Sequence, residues 1–252
     1  MIRVEHAGAA ATVVMSRPPV NAIDPSFVAA FEEVLDEIEE TKPTIVIVRS
    51  DQKCFCAGAD LALIRGFFTA TGGTGAMVAY VTTLHALFNR LEALEAVTLA
   101  VIDGPALGGG LELALSCDLR IASTRAKLGL PEARVGMIPG AGGTQRLPRL
   151  CGPGVSARLI LGGEVVDGAE AAHLGIVQWA VEARELDTRV DVIIKRVTGL
   201  SRPALVASKD CMAAWFDPKA DGYARELEKP RHLMKTKEAR SRIDAFFTPK
   251  SN

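Results

Sequence analysis

The 252-residue chain carries 29 Lys+Arg against 30 Asp+Glu, a formal charge of −1 that offers no bulk attraction to nucleic acid or any other polyanion. A hydrophobic fraction of 48% beside 23% charged residues excludes the composition of a disordered chain and permits one sizeable core. With 23 Gly but only 4 His and 5% aromatics, the chain favours chemistry done by backbone groups and carboxylates over imidazole.

Near the N-terminus, Thr12 to Met15 reads as a strand. Asp24 then forms a helix N-cap with Pro25 at the first helical position, and Phe27, Phe31, Val34, Leu35 and Ile38 recur at helical spacing with an acidic, solvated face opposite. Thr44 to Val48 and Val97 to Ile102 read as buried strands, each ending in a glycine-bearing turn that enters helical sequence. Between them, Val81, Leu84, Phe88, Leu91 and Leu94 give a second helix stripe, and the Gly- and Thr-rich stretch from Gly66 to Gly75 reads as a mobile loop. Asp167 to Glu170 has capping-box spacing, with Gly175 as the stop of that short helix. From Leu186 to Phe247 the pattern is helical, with Pro203 near one helix start. The expected organisation is an α/β core over residues 1–185 followed by a helical region over 186–252.

Apolar runs stop at strand length, short of the roughly 18 to 20 residues that span a bilayer. The N-terminus lacks the pattern of a signal peptide, and five irregularly spaced cysteines form no disulfide framework, so a soluble protein of the reducing cytoplasm is expected. Cys54-Phe55-Cys56 has no second ligand pair to complete a zinc site, and the scattered histidines match no metal motif. A Walker A loop, a Gly-x-Ser-x-Gly elbow and a clean dinucleotide fingerprint are missing as well.

Three segments stand apart: Phe55-Cys-Ala-Gly-Ala-Asp60, Gly108-Gly-Gly-Leu-Glu-Leu-Ala114, and Leu130-Pro-Glu132 with Ile138-Pro-Gly-Ala-Gly-Gly-Thr-Gln145. The first two place glycines where a strand turns into a helix, so backbone N–H groups with no helical acceptor can face one ligand oxygen. Read singly, each serves equally well as a mere tight turn. Glu112 sits between Leu111 and Leu113 in a first helical turn, where an acid also complements the helix dipole, and Glu132 follows Pro131 in a loop. Taken together, two carboxylates with apolar neighbours and two candidate oxyanion donors suit general acid and base chemistry next to a carbonyl.

In this order and spacing the three segments resemble the crotonase family, the enoyl-CoA hydratases and isomerases, and the likeness runs from Arg17-Pro18 and Val20-Asn21-Ala22 to Ala245-Phe246-Phe247. The resemblance implies a ββα spiral core with a helical C-terminal trimerisation region, assembled as a homotrimer or homohexamer. It places the family's oxyanion donors on Ala59 and Gly109, its catalytic glutamates on Glu112 and Glu132, and CoA contacts at Ala22, Asp60, Leu61 and Ala62. The implied reaction is hydration of a 2-enoyl-CoA without a cofactor, Glu112 serving the water and Glu132 the α-carbon proton. Isomerase, hydrolase and decarboxylase chemistry are alternatives within the family, and a non-catalytic RNA-binding relative is the alternative outside enzymes; the charge of −1 and the two glutamates oppose the latter. Neither nucleic acid nor membrane is an expected partner. Two lysines common in the family's CoA site are replaced by Pro18-Pro19-Val20 and Leu61-Ala62, and the usual basic cluster at the end is reduced to Lys250, so Arg17 and Arg65 become the candidate phosphate contacts.

Overall fold

The computed structural model describes residues 1–247; Lys250 lies outside them. In chain order the elements are β1 (Ile2–Ala7), β2 (Ala10–Met15), α1 (Pro25–Thr41), β3 (Ile45–Ser50), α2 (Leu61–Thr69), α3 (Gly73–Ala93), β4 (Val97–Ile102), β5 (Ala106–Leu107) and α4 (Gly109–Leu115). There follow β6 (Leu119–Ser123), β7 (Lys127–Gly129), a 3₁₀ turn (Glu132–Val135), α5 (Gly143–Ile160), β8 (Val165–Asp167), α6 (Gly168–His173) and β9 (Trp179–Val181). The last helices are α7 (Leu186–Thr198), α8 (Arg202–Ala214), α9 (Gly222–Leu233) and α10 (Lys237–Phe247).

A six-stranded sheet of order β1-β2-β3-β4-β6-β9 is parallel except for the β1–β2 hairpin, and a small β5-β7-β8 sheet stands beside it. The continuous apolar run of β3 follows from burial on both faces. Val46 and Val48 join the main core with α1, α3 and α4, whereas Ile45 and Ile47 point the other way, to Leu186, Val190, Ile193 and Val197 of α7. The helix that opens the 186–252 region therefore packs on the main sheet. Helices α9 and α10, by contrast, contain no buried residue, and Trp215, Tyr223, Leu227, Met234, Phe246 and Phe247 are exposed beside or on them.

The Asp24 carboxylate accepts the Phe27 N–H at 2.8 Å, and Pro25 opens α1 as the sequence predicts. Asp167 likewise accepts the Glu170 N–H at 2.9 Å. The expected loop from Gly66 to Gly75 is instead mostly helical. Asp60 caps α2 by accepting from Ala62 and Leu63, and Ile64, Phe67, Met77 and Tyr80 draw both helices onto the core, leaving only residues 70–72 between α2 and α3. Burial of apolar side chains outweighs the intrinsic cost of Gly and Thr in a helix.

Candidate active site

The Ala-Gly-Ala-Asp segment is tied down on two sides. Its Ala57 N–H donates to Val20 O, its Gly58 O accepts from Ile23 N–H at 2.8 Å, and its Asp60 N–H returns to Ile23 O at 2.9 Å. On the other side, Cys56 donates to Pro105 O and accepts from Leu107 N–H, pinning the segment to β5. Buried Asn21 fixes the approach, donating to Phe55 O at 2.9 Å and to Ser50 Oγ at 2.7 Å. The N-terminus of α4 is thereby pressed against this segment. A Cβ on Gly110 would stand 2.0 Å from Cys56 O, so only glycine allows the approach.

The contact brings the two expected donors together. Ala59 N lies 3.5 Å from where a Cβ on Gly109 would stand, and among the described residues neither the Ala59 nor the Gly109 N–H has a protein acceptor. Both line a cavity of about 330 Å³ whose walls include Ile64, Met77, Val81, Leu84 and Ile138. Glu112 and Glu132 open into the same cavity.

Glu112, buried in the first turn of α4, accepts at Oε1 from Ala141 N–H (2.8 Å) and Gly143 N–H (2.7 Å). Burial pushes its pKa up to about 7; the Gly143 hydrogen bond opposes that rise, and the neighbouring Glu132 charge adds to it. Within the segment 140–143, Gly140 and Ala141 line the cavity, and Ala141 and Gly143 supply the N–H groups that hold the carboxylate. Glu132 is carried on the 3₁₀ turn after Pro131. Its Oε1 lies 2.9 Å from the position a Cβ on Gly108 would take, and its buried Oε2 has no protein partner. Burial raises its pKa too. Two partly desolvated carboxylates thus face two unpaired N–H donors across an apolar cavity, an arrangement suited to proton transfer beside a polarised carbonyl.

A profile of enoyl-CoA hydratase/isomerase matches residues 5–248, nearly the whole chain. The chain belongs to the enoyl-CoA hydratase/isomerase family. It is 32% identical to a short-chain-enoyl-CoA hydratase of Clostridium acetobutylicum, with 96% of each protein covered. A crotonyl-CoA hydratase of Syntrophomonas wolfei is 34% identical over 79% of this chain and 76% of its own length. Among solved structures, an enoyl-CoA hydratase from Bacillus anthracis superposes with a TM-score of 0.89 at 30% identity, covering 97% of this chain and 95% of that one. The family fold accounts for the α/β spiral and the C-terminal helices.

The four residues expected to contact CoA are more dispersed. Leu61 lines the cavity and is exposed. The Asp60 carboxylate is engaged as the α2 cap, Ala62 is exposed beside it, and Ala22 offers its carbonyl to Arg17 at 2.5 Å. Arg17 is committed inward, bonding Asp24 Oδ2 at 2.5 Å as well, which leaves the exposed Arg65 of α2 as the freer of the two candidate cations. Among the described residues, three or more metal-ligating side chains do not cluster anywhere, and no helix is long and apolar enough to cross a membrane. Sequence reasoning missed Tyr80, whose hydroxyl donates to Ile23 O at 2.8 Å, and Arg146, which supports the Ala141 backbone. Their contacts lie 57 and 5 residues away along the chain, and neither residue belongs to a motif.

Proposed function

We propose that the protein is an enoyl-CoA hydratase, a hydro-lyase that adds water across the 2,3 double bond of an acyl-CoA thioester. The observation that carries this reading is the convergence of Glu112, Glu132 and the unpaired Ala59 and Gly109 N–H groups on one apolar cavity. The thioester oxygen accepts from both N–H groups, which stabilise the enolate as charge moves onto that oxygen. The two donors on Glu112 both fall on Oε1, leaving Oε2 to receive a proton from water as the water oxygen bonds to Cβ. Glu132 supplies its proton to Cα, so the product gains one water and the thioester carbonyl is restored. Burial raises the pKa of both carboxylates, which suits a pair of which one must hold a proton near neutral pH while the other accepts one. Every group in the scheme belongs to the chain, the substrate or water, and no cofactor is invoked. Met77, Val81, Leu84 and Ile138 offer the acyl chain an apolar wall.

The exposed apolar side chains of the C-terminal helices, with Trp215 86% and Phe246 90% accessible, support assembly through that region as a trimer or a dimer of trimers. A cytoplasmic location fits five unpaired cysteines, of which Cys54 and Cys56 donate to backbone carbonyls.

Loss of the enoyl thioester absorbance of crotonyl-CoA on adding protein tests the reading, with the product identified as the 3-hydroxyacyl thioester. Glu112→Gln and Glu132→Gln should each slow that reaction by about 10²-fold or more. Formation of a 3-enoyl thioester would instead identify double-bond migration, and unaltered rates in both variants would remove the assigned roles.

A further inference from the structure

The guanidinium of Arg146 is the one charged group of α5 that faces Glu112, yet it does not touch the carboxylate. Its side chain is only 7% exposed. Nη2 donates to Asn89 Oδ1 at 2.7 Å and to Glu92 Oε2 at 2.7 Å, and Nε donates to Glu92 Oε2 at 3.0 Å, so the fork is seated on α3. From there Nη1 donates to Ala141 O at 3.2 Å. The same residue's N–H holds Glu112 Oε1, and the second donor, Gly143 N–H, lies two residues further along. Gly142 between them presents its backbone to the fork at φ +110, where a Cβ would lie 2.1 Å from Nη1. One more tie runs from α3 to this loop, His85 Nε2 to Gly140 O at 2.5 Å.

We propose that Arg146 is a positioning residue of the hydration reaction: seated on Asn89 and Glu92, it holds the Ala141–Gly143 backbone so that two N–H groups remain on Glu112 Oε1. The proposal rests on the reading that Glu112 serves the attacking water. A planar, five-donor fork can bond Asn89, Glu92 and Ala141 together, whereas an ammonium in its place cannot span all three. Around Glu112 the charged groups are Glu132 on the 3₁₀ turn, which disfavours its ionised form, and Arg146, which favours it. Removing Arg146 therefore acts twice in one direction, by loss of its charge and by release of the donors.

The test is an infrared pH titration of the Glu112 carboxyl band, assigned by its loss in Glu112→Gln, in the wild type, Arg146→Lys and Arg146→Gln. The titration midpoint should rise by about one pH unit in Arg146→Gln and by less, but measurably, in Arg146→Lys, which keeps the charge and loses the fork. Arg146 does not line the cavity, so in Arg146→Lys kcat for crotonyl-CoA should fall about tenfold or more with KM held. A residue that merely supports the fold would lower the melting temperature and leave the midpoint in place. An unmoved midpoint in Arg146→Lys overturns the proposal, and that variant decides the question if Arg146→Gln does not fold. The titration needs no acyl-CoA, so failure of the hydratase reading shows separately, as absence of turnover by the wild type.

Discussion

Replacing Glu112 with Gln should slow the reaction by about 10²-fold or more yet stabilise the protein at neutral pH. The folded site raises the Glu112 pKa from the ordinary 4.5 to about 7, chiefly by burial. Below pH 4.5 both folded and unfolded chains hold the proton, and the group contributes nothing to the pH dependence of stability. Between pH 4.5 and 7 the unfolded chain releases its proton while the folded one keeps it, so stability falls as pH rises, and above 7 the loss is complete. A shift of this size corresponds to at most about 3 kcal/mol. Gln keeps an oxygen to accept from Ala141 and Gly143 and carries no charge, so it escapes the penalty. The stability of Glu112→Gln relative to wild type should therefore grow across this window and level off above it, amounting to roughly 6–12 °C in melting temperature for a chain of this size. Urea and thermal unfolding of both proteins at matched concentration, from pH 4.5 to 8.5, give the comparison. Parallel stability curves, or a variant that loses ground as pH rises, would refute the reasoning.

Gly110→Ala should cost activity well beyond its chemistry, because the new methyl collides with Cys56 O and pushes the N-terminus of α4 off the Ala59 segment; a kcat/KM for crotonyl-CoA within twofold of wild type would contradict this. Prolonged dialysis against EDTA should leave the hydration rate intact, a result read directly from initial rates before and after metal removal. Trp215→Lys, placed on the exposed apolar surface of the C-terminal region, should lower the mass measured by sedimentation while the isolated subunit keeps its circular dichroism.

Local chemistry made much of this legible from the sequence. The Asp24-Pro25 start of α1 and the buried run of β3 follow from capping and from apolar patterning, which a short window contains. The three motif segments gave the positions of Ala59, Gly109, Glu112 and Glu132, all of which line one cavity. What escaped depends on partners distant in the chain. The composition of residues 66–75 favours a loop, and only the core contacts of Ile64, Met77 and Tyr80 make it helical. The two-residue β5 carries too little pattern to announce a strand, although it clamps Cys56. Arg146 looks like any helix-surface cation until Asn89 and Glu92 are placed beside it, 57 and 54 residues earlier.

Helix α3 holds two structures at once. Met77, Val81 and Leu84 form a wall of the cavity, while His85 bonds Gly140 O and Asn89 and Glu92 seat the Arg146 fork that reaches Ala141 O behind Glu112. These two sets lie on one rigid rod, a turn or two apart. Chain-length preference and proton-transfer geometry are consequently not independent traits for selection to adjust. Replacements at Val81 or Leu84 that leave the helix axis still can reshape the acyl pocket alone, whereas any that tilt it also shift the Glu112 donors. Ile138 offers no freer route, because it stands three residues before Ala141 on the segment that supplies those donors.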